Sequence, residues 1–367
     1  MKKIFTILTL FICVHTIAQQ KLAPVLGVWI TNVASEVLKS KKNIETAIQL
    51  CKKTGINNVY VVVWNGGVTM YPSRLVEDYI GIKQSKVYGN RDPLQEIIEA
   101  GHKAGIKVHA WFEFGFAYSY GDSNSIWQQK YPEWVGRDVK GNHLQKNKFF
   151  WLNSLHPEVQ EFMTNLVLEV VKKYDIDGIQ GDDRLPAMPS EGGYDILTKK
   201  MYAAENEGAT PPLNSKDTAW VQWRANKLSA YIKDLYTKIK TVKKQCTVSW
   251  APSIYPWCKE QYLQDWPAWL NGGYADYLLP QLYRYDIAAY EKILKELSTQ
   301  VTSKQKNKIF PGLLTSLGDG YRVKEDMLLQ MIKLNRQYGF KGECLFYFET
   351  LRTNTNFYKS KIVTPKK

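Results

Sequence analysis

Asp175-Ile-Asp-Gly-Ile-Gln-Gly-Asp-Asp-Arg184 reads as a helix exit, a short strand rising from Gly178, and two adjacent acids, Asp182 and Asp183, where that strand ends. In parallel α/β proteins the carboxyl ends of the strands are where ligands sit and chemistry is done. Two carboxylates placed side by side there crowd each other unless a nearby group offsets the repulsion.

Working outward, the helix before this stretch starts at Pro157 and carries Val159, Phe162, Met163, Leu166, Val167, Val170 and Val171 as one stripe, the pattern of a helix packed on a sheet. The helix after it runs from Asp217 to about Lys244, with Leu228, Tyr231, Ile232, Leu235 and Ile239 on one side. The same cadence repeats along the chain. Gly27–Asn32, Asn58–Trp64 and Lys107–Glu113 read as the first three strands. Asp92-Pro93 caps and opens one intervening helix, and Gly105 ends it. Thr247–Ser253, Tyr277–Tyr283, Lys308–Thr315 and Glu343–Glu349 read as strands five to eight. Eight strands alternating with helices predict an α/β fold, a (β/α)8 TIM barrel with long loops on the carboxyl face of the strands. An open doubly wound sheet fits less well, because no Gly-rich nucleotide loop follows the first strand. The long connections, 65–89, 115–155 and 185–215, all follow strands and are rich in aromatic residues, as in Phe116-Ala-Tyr-Ser-Tyr120.

At the amino end, Lys2 and Lys3 precede the apolar run Ile4–Val14 and the small-residue site Thr16-Ile17-Ala18. That is a signal peptide over residues 1–18, with cleavage before Gln19. The expected product, residues 19–367, is one barrel domain exported to the periplasm or the cell exterior. No run is long enough to predict a transmembrane segment. The formal charge of +14 falls to +12 once the two leader lysines are gone. Such an excess reads as solvated helix faces or as attraction to an anionic polymer. Nucleic acid is not expected, since no recognition module accompanies the charge. Of the five cysteines, Cys51, Cys246, Cys258 and Cys344 survive cleavage. None forms a C-x-x-C pair, so buried free thiols are expected; Cys246 with Cys258 is the one pairing the spacing leaves open.

Strand parity then sorts the polar residues near the strand ends. His109, Trp111 and Glu113 share a face, as do Gln180 and Asp182, Gln281 and Tyr283, and Tyr347 and Glu349. If these faces point inward, Glu113, Asp182 and Glu349 converge at the barrel mouth, and Asp183 points away toward Arg184 or a loop. Converging carboxylates suit glycoside hydrolysis, where one acid protonates the leaving oxygen and another serves as nucleophile or base. The alternative for each acid is structural ion pairing with Arg74, Arg137 or Arg284. Asn32, Trp64, Asn65, Trp111, Trp250, Gln281 and Tyr283 are the candidate sugar contacts, although a barrel tryptophan more often packs than binds. His102, His143 and His156 have no metal-ligand spacing, and G-x-S-x-G is absent, so no metal and no cofactor is expected.

Together, Gly27-Val-Trp-Ile, His109-Ala-Trp-Phe-Glu-Phe-Gly115, Asp177-Gly-Ile-Gln-Gly-Asp-Asp183, Gln222-Trp-Arg224, Tyr262-Leu-Gln-Asp-Trp266 and Phe346-Tyr-Phe-Glu349 resemble the glycosyl-hydrolase-like family 10. The resemblance runs from about Leu26 to Leu351. It implies an exported barrel acting on glycans, some members being linked to trimming peptidoglycan strands. Gly178-Ile-Gln-Gly-Asp182 is also similar to the Gly-x-Arg-x-Asp fourth-strand pattern of the alpha-amylase superfamily, which implies a nucleophile role for Asp182. Gln180 stands where that pattern has Arg, and the fifth strand lacks the Glu that serves as its acid, so Glu113 or Glu349 is left to donate the proton. Two expectations follow: an exported glycoside hydrolase acting on a polysaccharide, or a glycan-binding barrel that has lost catalysis. Oligomeric state is left open.

Overall fold

The computed structural model describes residues 24–359; the expected leader and the basic tail at Pro365 lie outside them. Eight strands form the barrel: β1 Leu26–Ile30, β2 Asn58–Val62, β3 Lys107–Trp111, β4 Gly178–Gly181, β5 Thr247–Trp250, β6 Tyr277–Leu278, β7 Gly312–Leu314 and β8 Glu343–Phe346. Each runs parallel to its neighbours in sequence order, and β8 returns to pair with β1. The seam between β6 and β7 is closed by parallel bridges joining Leu278 to Ile309 and Gln281 to Gly312. The sheet is therefore a closed (β/α)8 barrel. β6 and β7 are shorter than their hydrophobic runs predict. Pro280 and Pro311 have no N–H to give the ladder, so pairing continues beside them only as single bridges.

The helices α1 Lys41–Lys53, α2 Pro93–Ala104, α3 Pro157–Lys173, α4 Thr218–Val242, α5 Trp266–Gly272, α6 Ile287–Gln300 and α7 Glu325–Gln337 surround the barrel. Their ends follow the local chemistry. Asp92 accepts from the Gln95 N–H ahead of Pro93, Asp217 accepts from the Trp220 N–H, and Gly105 ends α2 at φ +75°. The predicted stripe of α3 is buried in full. At about 1.5–3 kcal/mol for each fully buried large apolar side chain, that one face is a major tie between helix and sheet.

The barrel interior is filled in layers. Tyr60 and His109 stack at 4.7 Å, and His109 Nε2 meets Asn58 Oδ1 at 2.8 Å. Burial pushes His109 down to about 4, so the ring is neutral at neutral pH. Gly178 makes this layer possible, since a Cβ there would lie 2.3 Å from His109 Nδ1. Above it the Trp29 indole donates to Gln180 Oε1 at 2.7 Å, and Gln180 reaches Ser249 Oγ at 3.3 Å. Inward residues thus alternate Gly178, Gln180, Asp182 on β4 and His109, Trp111 on β3, as parity predicts.

The long connections build the carboxyl face. The first holds a hairpin (Trp64–Asn65 with Val68–Thr69) and a helix, Arg74–Ile80. The second holds a three-stranded antiparallel sheet of Ala117–Tyr120, Gln145–Lys146 and Phe149–Trp151. The third holds a helix, Ile196–Glu205. Cys51, Cys246, Cys258 and Cys344 are all free and buried. Among the described residues no helix is long and apolar enough to cross a membrane.

Candidate active site

β4 delivers its acids into a tight turn. Beyond Gly181 the chain doubles back so closely that a Cβ on Gly181 would lie 2.3 Å from Leu185 O. Asp182 Oδ1 accepts the Arg184 N–H at 3.0 Å, the side-chain-to-backbone bond that aspartate favours at turns. The Arg184 side chain folds over the strand end, and its Nε donates to Glu113 O at 2.8 Å. One guanidinium then meets three carboxylates. Nη1 lies 3.1 Å from Asp183 Oδ1; Nη2 lies 3.4 Å from Asp182 Oδ2 and 3.7 Å from Glu113 Oε1. Those last two oxygens are no more than about 7 Å apart, so the two carboxyls stand close enough to reach one glycosidic bond.

Each acid has its own surroundings. Asp182 Oδ2 also accepts from the Trp111 indole at 3.0 Å, so both its oxygens face N–H donors, and its side chain is 3% exposed. Glu113 Oε2 accepts from Asn65 Nδ2 at 2.7 Å. Asp183 is the most open, at 28%. Behind the cluster, Gln264 Nε2 fixes the backbone by donating to Asp182 O at 2.8 Å. The Arg184 guanidinium lies over the Phe149 ring at 4.7 Å, and Phe149 meets Phe114 and the exposed Tyr120 edge-on. An aromatic wall from the second long connection thus abuts the acids.

The electrostatics follow from three acids sharing one base. Burial pushes Asp182 well above the usual carboxylate range; Arg184 pulls it back, while Asp183 and Glu113 push it further up. Burial likewise lifts Glu113, against the pull of Arg184 and Asn65. For Arg184, burial opposes the charge, yet Asp183, Asp182 and Glu113 together hold its pKa above the ordinary value. Such a cluster retains a proton at a pH where isolated carboxylates have lost theirs.

Among the other sequence candidates, Asn65 and Trp111 join the cluster through the bonds just described. Gln281 donates to Ala251 O at 2.8 Å, and the Tyr283 ring lies 5.2 Å from Phe346 at the mouth. Asn32 lies two residues past β1, its amide oxygen buried and without a hydrogen-bond partner among the described residues. Trp64 and Trp250 stand elsewhere. Trp64 donates to Gly115 O and packs on Trp127 and Phe162; Trp250 donates to Tyr274 O and packs on Trp269. Both are almost fully buried between the strands and the outer helices, with no face left for a ligand. Glu349 does not share the cluster either. It begins a short helix, Glu349–Thr353, and is held by Ser35 Oγ at 2.9 Å and Arg352 at 3.0 Å. On β8 it is Phe346 whose ring meets Trp29 and Tyr283, so the inward parity is opposite to the one that would have brought Tyr347 and Glu349 in. Asp183 reaches Arg184, as the sequence suggested, and lies on the open side of the cluster. Arg184 and Phe149 were missed as site residues. Arg184 had a signal, because three acids converging on one mouth need a counter-charge nearby.

A closed barrel with carboxylates gathered at the carboxyl ends of neighbouring strands, beside an aromatic wall, is a glycoside-hydrolase-like barrel. The fold is shared with the PgaB (BpsB) glycoside hydrolase domain from Bordetella bronchiseptica, at a TM-score of 0.70 and 13% identity over 94% of this chain and 100% of that one. It is shared also with the catalytic domain of a β-amylase from Paenibacillus polymyxa, at 0.65 and 12% over the same shares. The chain belongs to the glycosyl hydrolase-like 10 family, whose model matches residues 24–330. Glycosyl hydrolase DigH of Escherichia coli (strain K12) is 27% identical to it over 308 residues, 75% of this chain and 67% of that protein. Glycosyl hydrolase YngK of Bacillus subtilis is 24% identical over 378 residues, 92% of this chain and 71% of that one.

Proposed function

We propose that the protein is an exported glycoside hydrolase that cleaves O-glycosidic bonds in a polysaccharide of the bacterial cell wall. The observation that carries this reading is the sharing of Arg184 by Glu113 and the two aspartates. Glu113 is the proton donor: burial keeps its carboxyl protonated to higher pH, and its Oε1 has only a distant ion-pair partner. Asp182 is the nucleophile or base. Burial raises its pKa, but a protonated carboxyl needs an acceptor for its O–H and Asp182 meets only donors, which counter that rise and hold it ionised. The basic excess supports an acidic wall polymer as the substrate class.

A second reading exchanges Asp182 for Asp183, and exposure favours it, 28% against 3%. Reducing-end release from peptidoglycan strands, α-glucans and β-glycans tests the activity itself. Saturable binding with no product from any of them would leave a glycan-binding barrel instead. Azide then separates the aspartates in a retaining enzyme. A small anion replaces a missing nucleophile, so azide should restore turnover to Asp182→Ala and not to Asp183→Ala. The reverse pattern would establish the second reading.

A further inference from the structure

Away from the acid cluster, the loops after β6 and β7 bring two arginines to the barrel mouth. In the strand order, β7 lies across the barrel from β3, and β6 stands two strands from β4. There the loops after β6 and β7 meet through Tyr285 and Tyr321, whose rings cross edge-on at 5.0 Å, with Tyr285 65% exposed. Each tyrosine has an arginine beside it in sequence. Arg284 Nη1 donates to Tyr283 O at 2.6 Å, and Arg322 Nη1 donates to Leu317 O and Tyr321 O at 2.9 and 2.7 Å. Tyr283 packs on Phe346, and Arg322 bridges to Ser316, whose N–H donates to Phe346 O. Both arginines are therefore fixed at the rim around Phe346. Among the described residues, neither has a carboxylate within 4.0 Å. Asp286 and Asp319, the nearest acids in sequence, are occupied in capping Ala289 and Tyr321 N–H groups.

We infer that Arg284 and Arg322, with the Tyr285–Tyr321 rings, form a subsite for an acidic group carried by the glycan. In each guanidinium Nη1 is tied to the backbone, while Nη2 and Nε remain for a planar carboxylate or phosphate, the pairing arginine's fork is shaped for. The exposed Tyr285 ring, braced by the half-buried Tyr321, offers a flat face to the sugar bearing that group. This rests on the glycosidase reading and adds a rule of register to it. A charged sugar is attracted to the arginine side and repelled by the acid cluster, so the bond that is cut lies some distance along the chain from the charge.

The test is titration of the full mature chain carrying Asp182→Asn, which stops turnover during the measurement, with three forms of the same wall glycan strands: untreated, carboxyl-reduced to alcohols, and stripped of phosphodiesters with hydrofluoric acid. Loss of the recognised group should weaken binding at least about tenfold. The treatment responsible identifies carboxylate or phosphate as that group. Adding Arg284→Gln and Arg322→Gln together should erase the difference while leaving affinity for the weaker strand unchanged, with the melting temperature checked alongside. Salt should weaken binding only of the strand that keeps its charge. Equal binding of all three strands, binding of none, or a preference that survives the double substitution would overturn the inference. Product release by the unaltered protein is scored separately. A subsite without product would sink the glycosidase reading alone, and product without charge preference would sink the subsite alone.

Discussion

Arg184 sets one positive charge against Glu113, Asp182 and Asp183, and the imbalance has a sign that can be measured. Burial raises Glu113 above its ordinary value, so the folded protein binds that proton more tightly than the unfolded chain does. Stability from this group is present below the ordinary carboxylate range and is lost as pH rises toward the raised folded value. Glu113→Gln removes the excess charge, so its melting temperature should exceed that of the unaltered protein at neutral pH, by about 1–2 °C per kcal/mol relieved in a chain of this length. The gap should close as pH falls to about 4. Turnover should fall by about 10²–10⁴-fold, and the alkaline limb of the pH–rate profile should vanish with the donor. Thermal melts and rates across that pH range check both. A variant that melts lower at neutral pH would mean that Glu113 serves chiefly as a counter-ion to Arg184. In the sequence these acids stand far apart, and parity brought Glu113 and Asp182 together. It failed for Glu349 because on β8 the inward face is that of Phe346, the opposite parity, and the strand ends there.

At the scale of elements, the barrel depends on a few close approaches that a side chain would block. Gly178→Ala would place a Cβ 2.3 Å from His109 Nδ1 and 2.6 Å from the Thr247 carbonyl oxygen, and the second contact is backbone that cannot swing aside. It should cost about 3 kcal/mol or more in denaturant unfolding, at the upper end of overpacking penalties. Alanine tolerated there would mean that β4 and β5 can separate without loss. Arg224 performs the converse task on α4. It is fully buried with no carboxylate partner among the described residues, lies 4.3 Å from the Trp220 ring, and donates to the carbonyls of Ser190, Gly192 and Ser215 in the third long connection. Burial lowers its pKa to about 9, which leaves it charged at neutral pH. Arg224→Met should therefore free that connection, with faster hydrogen exchange at Ser190–Gly192 while the strands keep their protection, and about 3 kcal/mol lost overall. Exchange unchanged at those positions would show the connection held by other contacts. Helix ends such as Asp92, Asp217 and Gly105 were readable in the sequence because capping is local chemistry. Trp64 was not, because the chain turns into a hairpin just past β2 and leaves the alternation that parity assumes. Trp250 faces the helices because its neighbour Ser249, bonded to the inward Gln180, takes the inward position on β5.

For the molecule as a whole, the four cysteines connect the fold to the proposed export. An oxidising compartment favours disulfides, yet all four described thiols are free. Their burial supplies the reason. It pushes Cys246 up to about 11 and raises Cys51, Cys258 and Cys344 as well, so none offers a thiolate to an oxidant. A thiol-reactive dye should therefore find nothing to label in the native protein and four groups once it is unfolded in denaturant. The same titration reads the amino terminus, because Cys13 belongs to the expected leader. Five groups would mean that the leader is retained; two would mean that Cys246 and Cys258 have been joined. Four, together with a mature sequence beginning at Gln19, is the result that export and a barrel closed around its thiols both require.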